Sequence, residues 1–322
     1  MVCDEVLGCL LERSGSWISG EDIASKLGIT RAAVWKQIQS LRSRGYIIES
    51  STNRGYRLSS LTDLLDPGLI GWGLETSAIG KRIHCYKVLD STNATAKEMA
   101  KVCESGTVVL ADVQREGRGR VGRSWSSPPG GVWISVILKP NITPQHVGRI
   151  NIAVSVAVAR TVYELYGIRA GIKWPNDITI RGRKLGGILT EISAEMERIE
   201  YAVVGIGINA NVDLSEFPPE WNATSIMQEL GSGISRVELI QHLLTEIERY
   251  YEMMTASFEE MHREWCNLST TLGRYVRIES QTGEVEGRAI SLDQEGALIL
   301  RVSDGEIKRV LTGDCVHLRM VN

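Results

Sequence analysis

Long apolar runs are missing from this chain. The best of them, Ile152 to Ala159, falls far short of the roughly 20 residues a membrane-spanning helix needs, so no membrane contact is expected. Paired cysteines are missing too: Cys3, Cys9, Cys85, Cys103, Cys266 and Cys315 are scattered, with no C-x-x-C. They read as free thiols of a cytoplasmic protein, not as a disulfide or zinc framework. The five histidines form no H-x-x-x-H pair, which argues against a built-in catalytic metal, and no metal ligand is assigned. Neither sign of charge dominates: 36 Lys and Arg against 39 Asp and Glu leave a net charge of −3. A nucleic-acid surface would have to be local. Asp4, Glu5 and Glu12 make the N-terminus unlike a secretory signal. What is present, 322 residues that are 43% hydrophobic and 23% charged, suits a globular chain of two or three domains.

Residues 1–60 predict three helices and a hairpin. Val6, Leu7, Leu10 and Leu11 recur at helical spacing. Ser19 suits the cap of a second helix that Gly28 ends, and Thr30 the cap of a third carrying Val34, Ile38 and Leu41. Two short strands flank the turn Thr52-Asn53-Arg54-Gly55. This is the pattern of a winged helix-turn-helix. Thr30, Arg31, Ala32, Ala33, Lys36 and Gln37 would face DNA from the recognition helix, and Arg54 from the wing tip. A solvated basic face on a packing domain is the competing reading.

Residues 61–80 read as a connector broken at Asp66-Pro67-Gly68. Residues 81–270 alternate strands with grouped helices, one of them long, from Pro144 to Tyr166. That order suggests α+β rather than a doubly wound sheet. Residues 271–322 give five short strands with turn signals, a small β-barrel pattern.

The middle segment holds the chemistry. Gly117 to Trp125 packs three glycines and three arginines into seven residues. It matches G-x-G-x-x-G and nearly matches a P-loop, but both need a helix straight after the glycines. Here Ser126-Ser127-Pro128-Pro129-Gly130-Gly131 follows, so the arginines must carry the positive charge. Like charges on one loop predict mobility without a ligand and closure over an anion. Asp90-Ser91-Thr92-Asn93 is either a helix cap or a donor set. Lys173-Trp174-Pro175-Asn176-Asp177 is a turn, or a site for ribose or Mg²⁺–phosphate. Arg183-Lys184-Leu185-Gly186-Gly187 and Gly205-Ile206-Gly207-Ile208-Asn209 let a backbone or ligand approach closely.

In this order and spacing these motifs resemble the biotin–protein ligases, also called biotin–[acetyl-CoA-carboxylase] ligases. The winged helix in front resembles the long members that also repress biotin genes. Gly186 stands where many members have alanine, a change expected to be harmless. The resemblance implies a class II synthetase-like mixed-sheet α/β ligase domain and a C-terminal SH3-like barrel. It also implies biotin and ATP as substrates with Mg²⁺, a biotin carboxyl carrier protein or domain of acetyl-CoA or pyruvate carboxylase, operator DNA and a homodimer. The implied biotin-binding set is Ser91, Thr92, Asn93, Gln114, Arg118, Gly119, Arg120, Trp125, Lys184 and Gly187. The implied ATP-binding set is Arg120, Arg123, Lys173, Asn176, Asp177, Asn209 and Trp221. Arg118, Arg120, Lys184 and Asp177 would carry catalysis. A lipoate ligase-like acyltransferase and a non-catalytic biotin-sensing regulator are the competing readings; the Gly-Arg-Gly-Arg loop argues against the first, and Lys184 with the full arginine set against the second.

Overall fold

The computed structural model describes residues 2–60, 63–195, 198–215, 217–280 and 283–318. The chain divides into two compact units, residues 1–73 and residues 74–322.

The first unit runs α1 (Val2–Glu12), α2 (Gly20–Leu27), α3 (Arg31–Ser43), β1 (Ile47–Ser51), β2 (Gly55–Ser60) and α4 (Pro67–Gly71). Its caps are those the sequence predicts. Ser19 Oγ accepts the Asp22 N–H at 2.9 Å, and Thr30 Oγ1 accepts that of Ala33 at 3.2 Å. Gly28 closes α2 at φ 63°, in the left-handed region that favours glycine. Val6, Leu7, Leu10, Ile23, Val34, Ile38 and Leu41 are buried and form the core between the three helices. Each such side chain contributes roughly 1.5–3 kcal/mol on burial. The β1–β2 hairpin is tied to the chain before α2, where Ile18 N donates to Tyr56 O at 2.8 Å. A Cβ on Gly55 would stand 2.1 Å from the Ile18 carbonyl oxygen, so this turn requires glycine. The expected connector divides. Asp66 caps α4 and accepts from Arg44 Nε at 2.8 Å, which places that stretch in the first unit.

The second unit begins with β3 (Ile83–Leu89), α5 (Thr92–Ala100), β4 (Val108–Gln114), β5 (Val132–Leu138) and α6 (Gly148–Tyr166). There follow β6 (Gly171–Lys173), β7 (Asp177–Ile180), β8 (Arg183–Glu195), β9 (Arg198–Ile208), α7 (Ile226–Leu230), α8 (Arg236–Ala256) and α9 (Phe258–Leu268). These seven strands form one sheet in the order β3-β4-β5-β9-β8-β7-β6. Only β3 and β4 are parallel, joined through α5, so the sheet is mixed and the unit is α+β. Every residue of β5 is buried, as expected for a central strand covered on both faces. The chain ends in β10 (Tyr275–Ser280), β11 (Gly283–Leu292), β12 (Leu298–Arg301), β13 (Ile307–Val310) and β14 (Asp314–His317). They form a five-stranded antiparallel sheet ordered β13-β12-β11-β10-β14. The turn residues Gln281 and Thr282, and Arg319 of the last expected strand, lie outside the described residues.

Three differences from the sequence reading have local causes. The helix expected from Pro144 starts at Gly148, because Pro144–His146 takes a single 3-10 turn closed by Val147 N to Pro144 O at 3.2 Å. Helix α7 is unpredicted: five residues capped by Ser225 are too few to show a period. Gly186 is not neutral. A Cβ there would stand 2.5 Å from the Gly207 carbonyl oxygen, so glycine lets β8 close on β9.

Candidate active site

A cleft of about 320 Å³ opens where β4, β8 and β9 meet the start of α5 and the arginine loop. Ligand pockets commonly measure roughly 300–1,000 Å³. The donor set at α5 is both a cap and a site. Ser91 Oγ accepts the Ala94 N–H at 3.4 Å, while Thr92 and Asn93 enter a buried network. Gln114 Oε1 accepts from Thr92 N at 2.8 Å and from Thr92 Oγ1 at 3.0 Å, and Gln114 Nε2 donates to Ser127 Oγ at 2.7 Å. Ser135 Oγ lies 2.8 Å from Thr92 Oγ1 and 2.6 Å from Asn93 Oδ1. Asn93 Nδ2 donates to Glu191 Oε2 at 2.9 Å, and Lys97 Nζ bonds the other Glu191 oxygen at 2.8 Å. Burial pushes the Glu191 carboxyl up, but the Lys97 and Asn93 bonds outweigh it and hold it below the usual range.

Sequence reasoning missed Ser127, Ser135, Lys97 and Glu191. The signal for one of them was there: Ser135 is the one polar residue of a strand that is otherwise apolar and buried throughout. Such residues need buried partners.

Trp125 forms one wall. Its ring stands edge-on to Trp133 at 6.4 Å between centroids, and Lys184 Nζ lies 5.1 Å from its own centroid. Gly207 makes room for it, since a Cβ there would meet Trp125 Nε1 at 2.7 Å; at Gly187 the contact would be 3.3 Å. Trp125 Nε1 is buried without a hydrogen-bond partner.

The arginine loop starts no long helix, as its prolines and glycines predict. Arg120–Gly122 makes one 3-10 turn with Val121 at φ 53°. The loop is tied at several points in the structure. Trp125 N donates to Gly117 O at 2.8 Å and Gly119 N to Arg123 O at 2.7 Å. Arg120 reaches across to the segment before β14, donating to Thr312 Oγ1 at 3.0 Å and Gly313 O at 3.2 Å, with Asn176 Oδ1 at 3.4 Å. Arg123 pairs with Asp314. The C-terminal sheet thus supplies the acceptors that relieve the repulsion. Burial pushes the Arg120 guanidinium down, and Asp314 and Asp177 oppose it. Arg118 is exposed at the cleft mouth.

Lys173, Asn176, Asp177 and Lys184 all line the cleft. Asn176 Nδ2 is fixed by Ile188 O at 2.8 Å, and Lys184 Nζ pairs with Asp177 Oδ1 at 2.7 Å. The Lys184 backbone is held by Asn222 O at 2.7 Å. Two expected ATP residues are not on the lining. Asn209 is buried and pins the following loop, its Nδ2 donating to Thr224 O at 3.0 Å. Trp221 stays 47% exposed, its ring 5.2 Å from that of Phe217. It therefore forms no wall of this cleft.

Trp174 ties the Lys173–Asp177 turn to the C-terminal sheet, donating from its backbone to Thr271 Oγ1 at 3.0 Å. Thr271 Oγ1 also lies 3.1 Å from His317 Nε2 on β14. Burial, then Lys173 and Arg274, push His317 down to about 4. Its folded pKa lies below the unfolded value of about 6.5, so stability falls as pH drops from about 6.5 towards about 4. Urea unfolding should show a loss of up to about 2 kcal/mol between pH 7 and pH 5 that is absent in His317→Gln. An equal loss in both proteins would contradict this.

On the first unit, Thr30, Arg31, Ala32, Lys36 and Arg54 are exposed, with Ala33 and Gln37 half-buried. Arg54 lies over the Trp17 ring at 4.5 Å, which steadies the wing tip. Other basic residues in this unit serve the fold: Arg42 bonds Ile48 O, Arg44 bonds Asp66 and Arg57 bonds Glu49. Trp35, 57% exposed on α3, is an additional surface residue that the sequence reading overlooked. Among the described residues no helix is long and apolar enough to cross a membrane.

Comparison with known proteins agrees with this arrangement. Residues 85–209 match the biotin/lipoate A/B protein ligase family, residues 4–57 an HTH domain, and residues 271–318 the biotin protein ligase C-terminal domain. The chain is 40% identical to the bifunctional ligase/repressor BirA of Bacillus subtilis over 95% of both chains. It is 29% identical to BirA of Escherichia coli over 94% of this chain and 93% of that one. The solved biotin protein ligase from Aquifex aeolicus in complex with biotin and ATP superposes with a TM-score of 0.65 at 29% identity, covering 74% of this chain and 99% of that one. With its helix-turn-helix, mixed-sheet and C-terminal parts all matched, this chain belongs to the biotin–protein ligase family, in its bifunctional ligase/repressor form.

Proposed function

We propose that the cleft activates biotin with ATP and passes it to a lysine of a biotin carboxyl carrier protein. The observation that carries this is convergence: the Thr92–Asn93–Gln114 network, the arginine loop and Lys184 all open on one cleft. The network offers fixed donors and acceptors for the biotin ring, and Trp125 with its glycine neighbours offers an apolar wall. Arg118, Gly119 and Arg120 stand where the biotin carboxylate and α-phosphate would meet. Arg123 and Lys173 add charge for the outer phosphates.

In the first step a biotin carboxylate oxygen attacks the α-phosphorus and pyrophosphate leaves. Fixed cations around the developing charge lower this barrier, since their orientation is set before reaction. Asp177 lines the cleft with its side chain 23% exposed. It suits a Mg²⁺ ion that is held mainly by phosphate oxygens and needs only one or two carboxylates. Such an ion, when bound, neutralises phosphate charge. In the second step the carrier lysine attacks the acyl carbon of biotinyl-5′-AMP, AMP leaves and the amine loses a proton. Asp177 is the candidate base. Transfer from preformed adenylate at the normal rate by Asp177→Asn would remove it from that role.

The first unit acts as the repressor module, with α3 as recognition helix. Adenylate-linked dimerisation would let two copies read two half-sites. Two assays test the reading. Incubation with biotin, Mg·ATP and an apo-carrier domain should give a streptavidin-reactive carrier, and its absence overturns the ligase reading. A gel shift on DNA upstream of biotin genes should appear with biotin and ATP, weaken steeply with salt and fade in Arg31→Ala. No shift under any of these conditions overturns the repressor reading.

A further inference from the structure

Helices α6 and α8 share a polar cluster that the ligase chemistry does not use. Glu164 lies near the C-terminal end of α6, while His242 and Glu246 lie one turn apart on the same face of α8. His242 Nε2 is 2.8 Å from Glu164 Oε2, and one donor atom from each of the three residues lies within 4.8 Å of the others. Four donors around an ion at zinc's bond lengths stand about 3.3 Å apart. One separation, 2.8 Å, is below that value and none exceeds 4.8 Å, so side-chain rotations would bring the three donors onto one ion.

Burial gives a second reason. The Glu246 side chain is only 7% exposed, and a second carboxylate stands beside it. A buried carboxylate in such company calls for positive charge. Arg249 approaches Glu246 Oε2 only at 3.3 Å, from a side chain that is 56% exposed. Its long arm can swing away to solvent.

We propose that Glu164, His242 and Glu246 bind one divalent transition-metal ion of zinc's class, which fastens α6 to α8. One imidazole nitrogen and two carboxylate oxygens form a donor set that zinc accepts, leaving a fourth position for water. Magnesium and calcium prefer all-oxygen sets and are disfavoured. The site is structural. At the other end of α6, Asn151 Oδ1 accepts from Thr190 of β8 at 2.7 Å, and Glu164 lies roughly 20 Å further along the helix axis. A search for H-x-x-x-H misses the site because it is H-x-x-x-E, with its third ligand 78 residues away from the histidine.

The test uses the full chain, stripped with a chelator and titrated with Co²⁺ followed by visible absorption, and with Zn²⁺ by calorimetry. One ion per chain is expected, with ligand-field bands lacking thiolate charge transfer. At a hundredfold excess over Kd, Tm should rise by about 5 °C. His242→Gln, at a half-exposed position that does not threaten the fold, and Glu246→Gln should each lose the stoichiometric ion while biotinylation proceeds normally. Absence of stoichiometric binding, or unchanged binding in His242→Gln, overturns the proposal.

Discussion

Lys184→Ala should slow adenylate formation by about 10²- to 10³-fold, the range expected when one preorganised donor to developing charge is removed. The lysine is held at both ends. Its backbone N–H is fixed by Asn222 O, and its ammonium stands 2.7 Å from Asp177 and 5.1 Å from the Trp125 ring centroid. Its position is therefore set before substrate arrives. The loss should appear in kcat of the pyrophosphate-release reaction, with biotin affinity changed much less. A variant that forms adenylate at the wild-type rate would show that Lys184 serves only to pair with Asp177.

Gly205→Ala should raise the KM for biotin by about a hundredfold, roughly the loss of one buried, charge-linked hydrogen-bond set. The added Cβ would stand 2.2 Å from Asn93 Oδ1. Asn93 has nowhere to go, because Ser135 holds its oxygen and Glu191, backed by Lys97, holds its amide. The ATP KM should stay near wild type, since Lys173, Asn176 and Asp177 lie on other elements. Isothermal titration with biotin alone reads the effect without chemistry. Unaltered biotin affinity would remove Asn93 from the biotin subsite.

The sequence revealed local structure well where a single residue type decides it. Ser19, Gly28 and Thr30 each perform the cap or stop that their chemistry predicts. The motifs of the cleft were legible because glycine, arginine and lysine cluster there. What stayed hidden depends on partners distant in the chain. Glu191 carries no sign in its own stretch that Lys97 and Asn93 complete it. The arginine loop shows no sign that Thr312, Gly313 and Asp314 anchor it from the far end of the chain. Asn209 and Trp221 follow a glycine-rich strand end that suggested ligand contact, yet the loop after β9 uses Asn209 as a pin and turns Trp221 onto Phe217. Proximity along the chain was a poor guide in both cases, because the loop folds back on Lys184 through its backbone.

The central claim is that this cleft holds biotinyl-5′-AMP under the arginine loop. The lifetime of the adenylate on the protein tests it most directly. Wild-type protein charged with biotin and Mg·ATP should carry the adenylate through gel filtration. Arg120→Gly removes the contacts to Thr312, Gly313 and Asn176. Gly117→Ser drives a Cβ to within 2.3 Å of the Trp125 carbonyl oxygen. Both should release adenylate at least about tenfold faster, the equivalent of about 1.4 kcal/mol. Release at the wild-type rate in both variants would contradict the account.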